Sequence, residues 1–161
     1  MEQKSSPPRR LRVLFATDEM ETRSALVPAL RADGHAVVSA AGPTELVFAI
    51  EVVCEHLGPM PDLLVLDVDM RQGAVLDVLN LYGAKLAEVP VLLLLGANAE
   101  EMSVHPGLDY HTVGVFHKPL DLDDLRTAIA NLEVWKRAAR ARRARDGRAR
   151  LALEPGSDPG D

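Results

Sequence analysis

The stretch Asp62-Leu63-Leu64-Val65-Leu66-Asp67-Val68-Asp69-Met70 (DLLVLDVDM) decides how this chain folds. Four consecutive apolar residues follow Pro61 and end on a carboxylate, with a second carboxylate two residues later. An apolar run this short, built from Leu and Val, reads as a strand buried on both faces. Taking a carboxylate out of water costs several kcal/mol unless it is paired, hydrogen-bonded or on a metal, ~3–5 kcal/mol being typical of a broken buried pair. Asp67 therefore either caps the following helix or stands at the carboxyl end of a parallel strand, where open α/β sheets place their sites.

Working outward, the pattern repeats. Strands are expected over 12–17, 36–40, 63–66, 91–95 and 113–117. Helical periodicity is expected over 18–32, bent at Pro28, then over 42–57, 74–86 and from 120 to at least 137. Asp33-Gly34 closes the first helix, and Gly58-Pro59 the second. The stretch NAEEMSVHPGLDYHTVG (98–114) starts helically but meets Pro106-Gly107 and predicts a short or broken helix. Asp121, Asp123 and Asp124 sit where the last helix's dipole favours them. Five strands alternating with helices imply an α/β fold, a five-stranded parallel sheet, doubly wound with right-handed crossovers. The expected organisation is an arm over 1–9, a folded domain over 10–136, and a basic helical extension with an acidic, disordered tail over 137–161.

Bulk properties narrow the function classes. The 161 residues suit one domain with tails, and 47% apolar residues suffice for a core. The single cysteine, Cys54, excludes a disulfide framework and reads as a buried structural thiol. The N-terminus lacks an apolar secretory core, and the longest apolar run is too short to span a bilayer, so a cytoplasmic protein is expected. There is no G-x-G-x-x-G after the first strand and no G-x-x-x-x-G-K-[ST], which argues against dinucleotides and a P-loop. Residues 136–150 carry eight Lys/Arg against Asp146; that local +7, in a chain of net charge −6, leaves the remainder at −13.

In a parallel sheet the strand ends converge. The first strand delivers Thr17, Asp18 and Glu19, the third Asp67 and Asp69, the fourth Leu95, Gly96 and Ala97, and the fifth Lys118 before Pro119. Several carboxylates with one lysine form a charge set for a hard divalent cation and a phosphoryl group. Magnesium takes oxygen ligands, usually one or two carboxylates; lysine offers a point charge to phosphate; a carboxylate can be the nucleophile. Taken singly, Asp18 would be a helix N-cap and Lys118 a surface lysine. His105, His111 and His117 are expected in loops or solvent, since their spacing of six matches no metal pattern. Trp135 is expected to pack on the last helix.

The order VLFATDEMETR (13–23), PDLLVLDVDM (61–70), PVLLLLGA (90–97) and VFHKPLDLDDL (115–125) resembles the receiver domain of bacterial two-component response regulators, over about residues 10–135. The resemblance implies a flavodoxin-like (βα)5 fold, Mg2+ binding, and phosphorylation by a histidine kinase or phosphotransfer protein. It implies Asp67 as phosphoacceptor, Lys118 as the phosphate contact, Asp18, Asp67 and Asp69 as the metal set (Asp69 through its carbonyl), and a cis Lys118–Pro119 bond. No enzymatic activity is expected beyond self-phosphorylation from a phosphodonor and autodephosphorylation.

Three positions depart from the family pattern. Thr17 stands where the first acid of a pair is usual, Leu95 where a Ser or Thr hydroxyl follows the phosphoryl group, and Val115 where an aromatic reports the switch. Phe116 is one position off and is expected to face the other way. Asp69 either compensates for the acid lost at Thr17 or repels phosphate. Two functions remain open. One is a stand-alone receiver with output through protein contact, including a homodimer through the fourth helix, fifth strand and last helix. The other is a phosphorylation-independent pseudo-receiver serving as a scaffold or adaptor. The basic run from Lys136 to Arg150 adds a third expectation, contact with a polyanion.

Overall fold

The computed structural model describes residues 10–70, 74–96 and 112–153. The expected arm, the 98–108 region with its Pro106-Gly107 break, His105, His111 and residues 154–161 lie outside them, and so does the fourth helix of the expected dimer face. The elements are β1 (Arg12–Ala16), α1 (Met20–Ala32), β2 (Ala36–Ala40), α2 (Pro43–Cys54), β3 (Leu63–Asp67), α3 (Ala74–Tyr82), β4 (Val91–Leu95), β5 (Thr112–His117), α4 (Leu122–Ala130) and α5 (Leu132–Leu153). The five strands pair in parallel in the order β2-β1-β3-β4-β5, with β3 central. The expected α/β fold with a five-stranded parallel, doubly wound sheet is therefore present.

Every residue of β3 is buried, as the uninterrupted apolar run requires of a strand covered on both faces. The period-2 alternation divides the core. Leu14, Leu64, Leu66 and Leu93 face α2 and α3 together with Leu46, Ile50 and Val78. Val13, Phe15, Leu63, Val65, Leu92 and Leu94 face α1 and α4 with Leu26, Leu30 and Leu125. Cys54 is buried on the first side, and burial raises its thiol pKa, in keeping with a structural thiol.

Helix α1 starts two residues later than expected and runs through Pro28, whose ring leaves the exposed Ser24 carbonyl without its helical donor. It ends as read: Gly34 sits at φ 95°, with its N–H on Arg31 O at 3.0 Å and the His35 N–H on Leu30 O at 3.1 Å. That pair of bonds is the left-handed C-terminal motif. Helix α2 stops at Cys54, short of the expected 57, because the same motif closes there first. The His56 N–H bonds Val53 O at 3.2 Å and the Leu57 N–H bonds Val52 O at 3.0 Å, with His56 at φ 59°. A residue with a Cβ in that region is disfavoured by about 1 kcal/mol relative to glycine. His56→Gly is therefore expected to raise stability by up to about 1 kcal/mol, read as a higher urea midpoint with an unchanged slope.

The last expected helix is two. Asn131 interrupts it: its side-chain amide donates to Thr127 O at 3.0 Å, drawing that carbonyl into a local bond of the kind that favours helix ends, and α5 restarts at Leu132. Asp121 accepts the Asp123 N–H at 2.8 Å as N-cap of α4. Arg126 clamps the end of α1 with a two-pronged pair to Asp33, 2.7 and 2.9 Å. Helix α5 then continues unbroken to Leu153, three residues into the stretch LALEPGSDPGD (151–161), expected to be a disordered tail.

Candidate functional site

The carboxyl ends of β1, β3 and β5 bring Thr17, Asp67 and Lys118 together. Asp67 is fully buried, yet all its acceptor capacity is used. Oδ2 accepts from the Thr17 hydroxyl at 2.7 Å and Oδ1 from the Asp69 N–H at 3.0 Å. Both oxygens lie 3.0 Å from Lys118 Nζ. Of the two readings of DLLVLDVDM, the strand-end site holds: Asp67 is the last residue of β3 and its carboxylate pairs across the sheet edge rather than capping a helix.

Lys118 is the hub. Its backbone N–H bonds Leu95 O at 2.7 Å, and its Nζ also reaches Glu19 Oε1 at 2.6 Å and Asp69 Oδ2 at 3.1 Å. The Lys118–Pro119 bond is cis, as expected. Burial acts to lower the ammonium pKa, but the hydrogen bonds that Lys118 donates to Glu19, Asp67 and Asp69 outweigh it and raise the pKa above its usual value. One cation thus meets three carboxylates.

Thr17 is fully buried. It holds Asp67 as a donor while its oxygen accepts the Glu19 N–H at 3.1 Å. Its own carbonyl accepts from Arg23 at 3.2 Å. In the place of an acid, the chain has a neutral group that satisfies the buried carboxylate with a proton.

Glu19 is the residue that sequence reasoning left out of the site. The available signal was its place one residue past Asp18 at the end of β1; the missing information was the rotation of the chain entering α1. Lys118, then Thr22, lowers the Glu19 pKa through hydrogen bonds. A depressed carboxylate stabilises the fold above its unfolded pKa, about 4.3, and the contribution is lost as pH falls through the folded value. Titration of stability from pH 6 to 3 is expected to decline less steeply in Glu19→Gln than in the parent chain, measured by urea midpoints.

The remaining expected site residues are placed as follows. Asp18 is exposed. Asp69 is 41% exposed and leans on Lys118, over Gly96, where a Cβ would collide with its Oδ2. Leu95 packs at the edge of the α2–α3 core. Val115 is 47% exposed, and Phe116 packs on the opposite, α1–α4, side, as the alternation requires. His117 is exposed, and Trp135 lies in α5. Among the described residues no three His, Cys, Asp or Glu side chains group to hold a metal. Apart from the Lys118 ammonium, the side chains gathered around Asp67, those of Thr17, Glu19 and Asp69, offer oxygens, the kind of ligand a hard dication takes; two carboxylates and a backbone carbonyl do not require a third side chain.

No helix among the described residues is long and apolar enough to cross a membrane. No family model matches the sequence, and no curated protein matches it. Solved structures do. The chain is similar to a CheY-like response regulator receiver domain from Methanospirillum hungatei JF-1, with TM-score 0.62, 18% identity, and coverage of 79% of this chain and 97% of that one. It is similar to the receiver domain of the hybrid histidine kinase CckA, with TM-score 0.56, 26% identity, and coverage of 73% and 94%. A third similar structure is the signal receiver domain of a LuxO repressor protein from Vibrio parahaemolyticus, with TM-score 0.61, 17% identity, and coverage of 84% and 97%. With the five-stranded parallel sheet in the order β2-β1-β3-β4-β5, these likenesses show that the chain has the fold of a CheY-like response regulator receiver domain.

Proposed function

We propose that this chain is a receiver module of a two-component or phosphorelay pathway in which Asp67 accepts a phosphoryl group from a histidine kinase or phosphotransfer protein. One observation carries the reading: a carboxylate with no solvent exposure ends the central strand, and both its oxygens rest on a single lysine. An apolar residue would pack there at lower cost, so the carboxylate is kept for its chemistry.

In the transfer, an Asp67 oxygen attacks phosphorus; the new O–P bond forms as the bond to the donor's imidazole nitrogen breaks, and that nitrogen leaves with the electron pair and is protonated. Lys118 turns its N–H donors from the carboxylate to the phosphoryl oxygens. Thr17 and the Asp69 N–H hold the carboxylate in place through the change. Mg2+ on Asp18, Asp67 and the Asp69 carbonyl would add charge against the phosphoryl oxygens. Output would pass through contact with a downstream protein.

A second reading is a phosphorylation-independent pseudo-receiver. It is favoured by Leu95, which offers no hydroxyl to reward a phosphorylated state, and by half-exposed Val115 in place of an aromatic. A modification that interacts equally with two states shifts neither. Intact mass after incubation with Mg2+ and a small phosphodonor separates the readings. A phosphoryl adduct is expected on the parent chain and is absent from Asp67→Asn. No adduct on the parent, with native-like thermal unfolding, overturns the phosphoacceptor reading in favour of the scaffold.

A further inference from the structure

Among the described residues, helix α5 is held to the rest of the domain at its start. Leu132 is buried in the α1–α4 core, Lys136 pairs with Glu133 at 3.8 Å and Arg140 with Glu88 at 3.9 Å. Past Arg140, the one side-chain bond among the described residues is internal, Arg148 Nε to Ala144 O at 3.3 Å. Twenty-two residues extend about 33 Å at 1.5 Å per residue, and from the Glu88 contact at Arg140 the basic run continues for about 15 Å along the helix, so its distal end lies more than a Debye length, about 8 Å in physiological salt, from that contact.

We propose that α5 is a docking limb for duplex DNA, read through its phosphates rather than its bases. Three observations select this occupant. The described cations Lys136, Arg137, Arg140, Arg142, Arg145 and Arg148, advanced by about 100° per residue, leave no face wider than about 120° without a charge. A flat anionic partner would neutralise one side and strand the rest, whereas a groove presents phosphates on both walls. From residue 138 to 150 no apolar residue is larger than alanine, so the segment lacks the apolar stripe a lipid interface demands. A helix about 10–12 Å across fits the B-form major groove, about 12 Å wide, and alanines between the arginines permit close approach. This inference does not depend on the chemistry at Asp67.

The test is fluorescence anisotropy of the full chain with a labelled, random-sequence 20-base-pair DNA duplex between 50 and 200 mM KCl. Binding at 50 mM is expected, with affinity falling about a hundredfold across that range if about four phosphates are neutralised. The variant carrying Arg140→Gln, Arg142→Gln, Arg145→Gln and Arg148→Gln is expected to lose this salt dependence and nearly all binding, with helix content by circular dichroism unchanged. Absent binding at 50 mM, or equal binding by the variant, overturns the proposal. So does equally tight binding to an RNA duplex, whose deep, narrow major groove excludes the helix. Binding to anionic vesicles in preference to DNA, or salt-sensitive self-association by light scattering without DNA binding, overturns it as well.

Discussion

Lys118→Met is expected to destabilise the chain by about 3 kcal/mol, a drop of about 6–12 °C in midpoint for a domain of this size. Methionine keeps the length and apolar stem of lysine and removes only the charge and its donors. What remains is Asp67, fully buried, with two neutral donors and no counter-charge, beside Asp69 and Glu19. Breaking a buried pair from one side costs about 3–5 kcal/mol; the lower end applies because Glu19, at 47% exposed, and Asp69, at 41%, can turn to water. Adding Asp67→Asn should return more than half of the loss, because the amide oxygen can accept the Asp69 N–H while the amide N–H donates to Thr17 Oγ1, whose hydroxyl turns, with no charge left buried. A pH limb supplies a second check. The Lys118 pKa is raised in the folded chain, so its contribution is complete below the unfolded value, about 10.4, and is lost as pH rises through the folded value. The parent should therefore lose stability in strong alkali in a way that Lys118→Met does not. A single variant within 1 kcal/mol of the parent, about a fivefold change in the folding constant, would show that Lys118 is not the counter-charge of Asp67.

The fold was legible because its signals are local. The apolar run of β3 specifies burial on both faces, and Asp33-Gly34 specifies a helix end; neither depends on distant partners. Positions of Thr17, Asp67 and Lys118 were legible too, because parallel strands deliver their carboxyl ends to one edge whatever the loops do. What the sequence did not disclose is which side chain pairs with which across that edge. Glu19 and Lys118 are separated by 99 residues, and Asp33 and Arg126 by 93; such pairs depend on how the chain turns after each strand, which hydrophobic periodicity does not record. The break at Asn131 and the left-handed His56 are similar cases, where a side-chain amide or a pair of backbone bonds ended a helix inside a segment whose apolar pattern continued. Asp69 was read as either compensating for the missing acid or repelling phosphate. In the folded chain its carboxylate joins the load on Lys118, through a gap that the absent side chain of Gly96 leaves open.

The load on Lys118 gives Thr17→Asp the other large expected effect, and its sign depends on the metal. Thr17 has no solvent exposure, and its hydroxyl sits 2.7 Å from Asp67 Oδ2. An aspartate there replaces a donor with a like charge and leaves one lysine facing four carboxylates. Two buried carboxylates in contact cannot both ionise freely, so in EDTA the variant should lose about 3 kcal/mol or more, or take up a proton and lose most of that stability as pH rises. The same substitution completes an acidic pair with Asp18 at the end of β1, and a dication bound only by the folded state stabilises it by about 2.7 kcal/mol at a hundred times its dissociation constant. Millimolar MgCl2 should thus recover most of the variant's loss while raising the parent's midpoint far less, since in the parent Thr17 already satisfies Asp67 without a metal. Thermal melts of both chains in EDTA and in MgCl2 decide the matter. A variant as stable as the parent in EDTA would mean that Asp67 does not carry its charge beside residue 17. A destabilised variant that ignores magnesium would mean that the strand ends, though lined with oxygens, do not converge closely enough to hold the ion, and Lys118 would then be the only cation the site was built to accept.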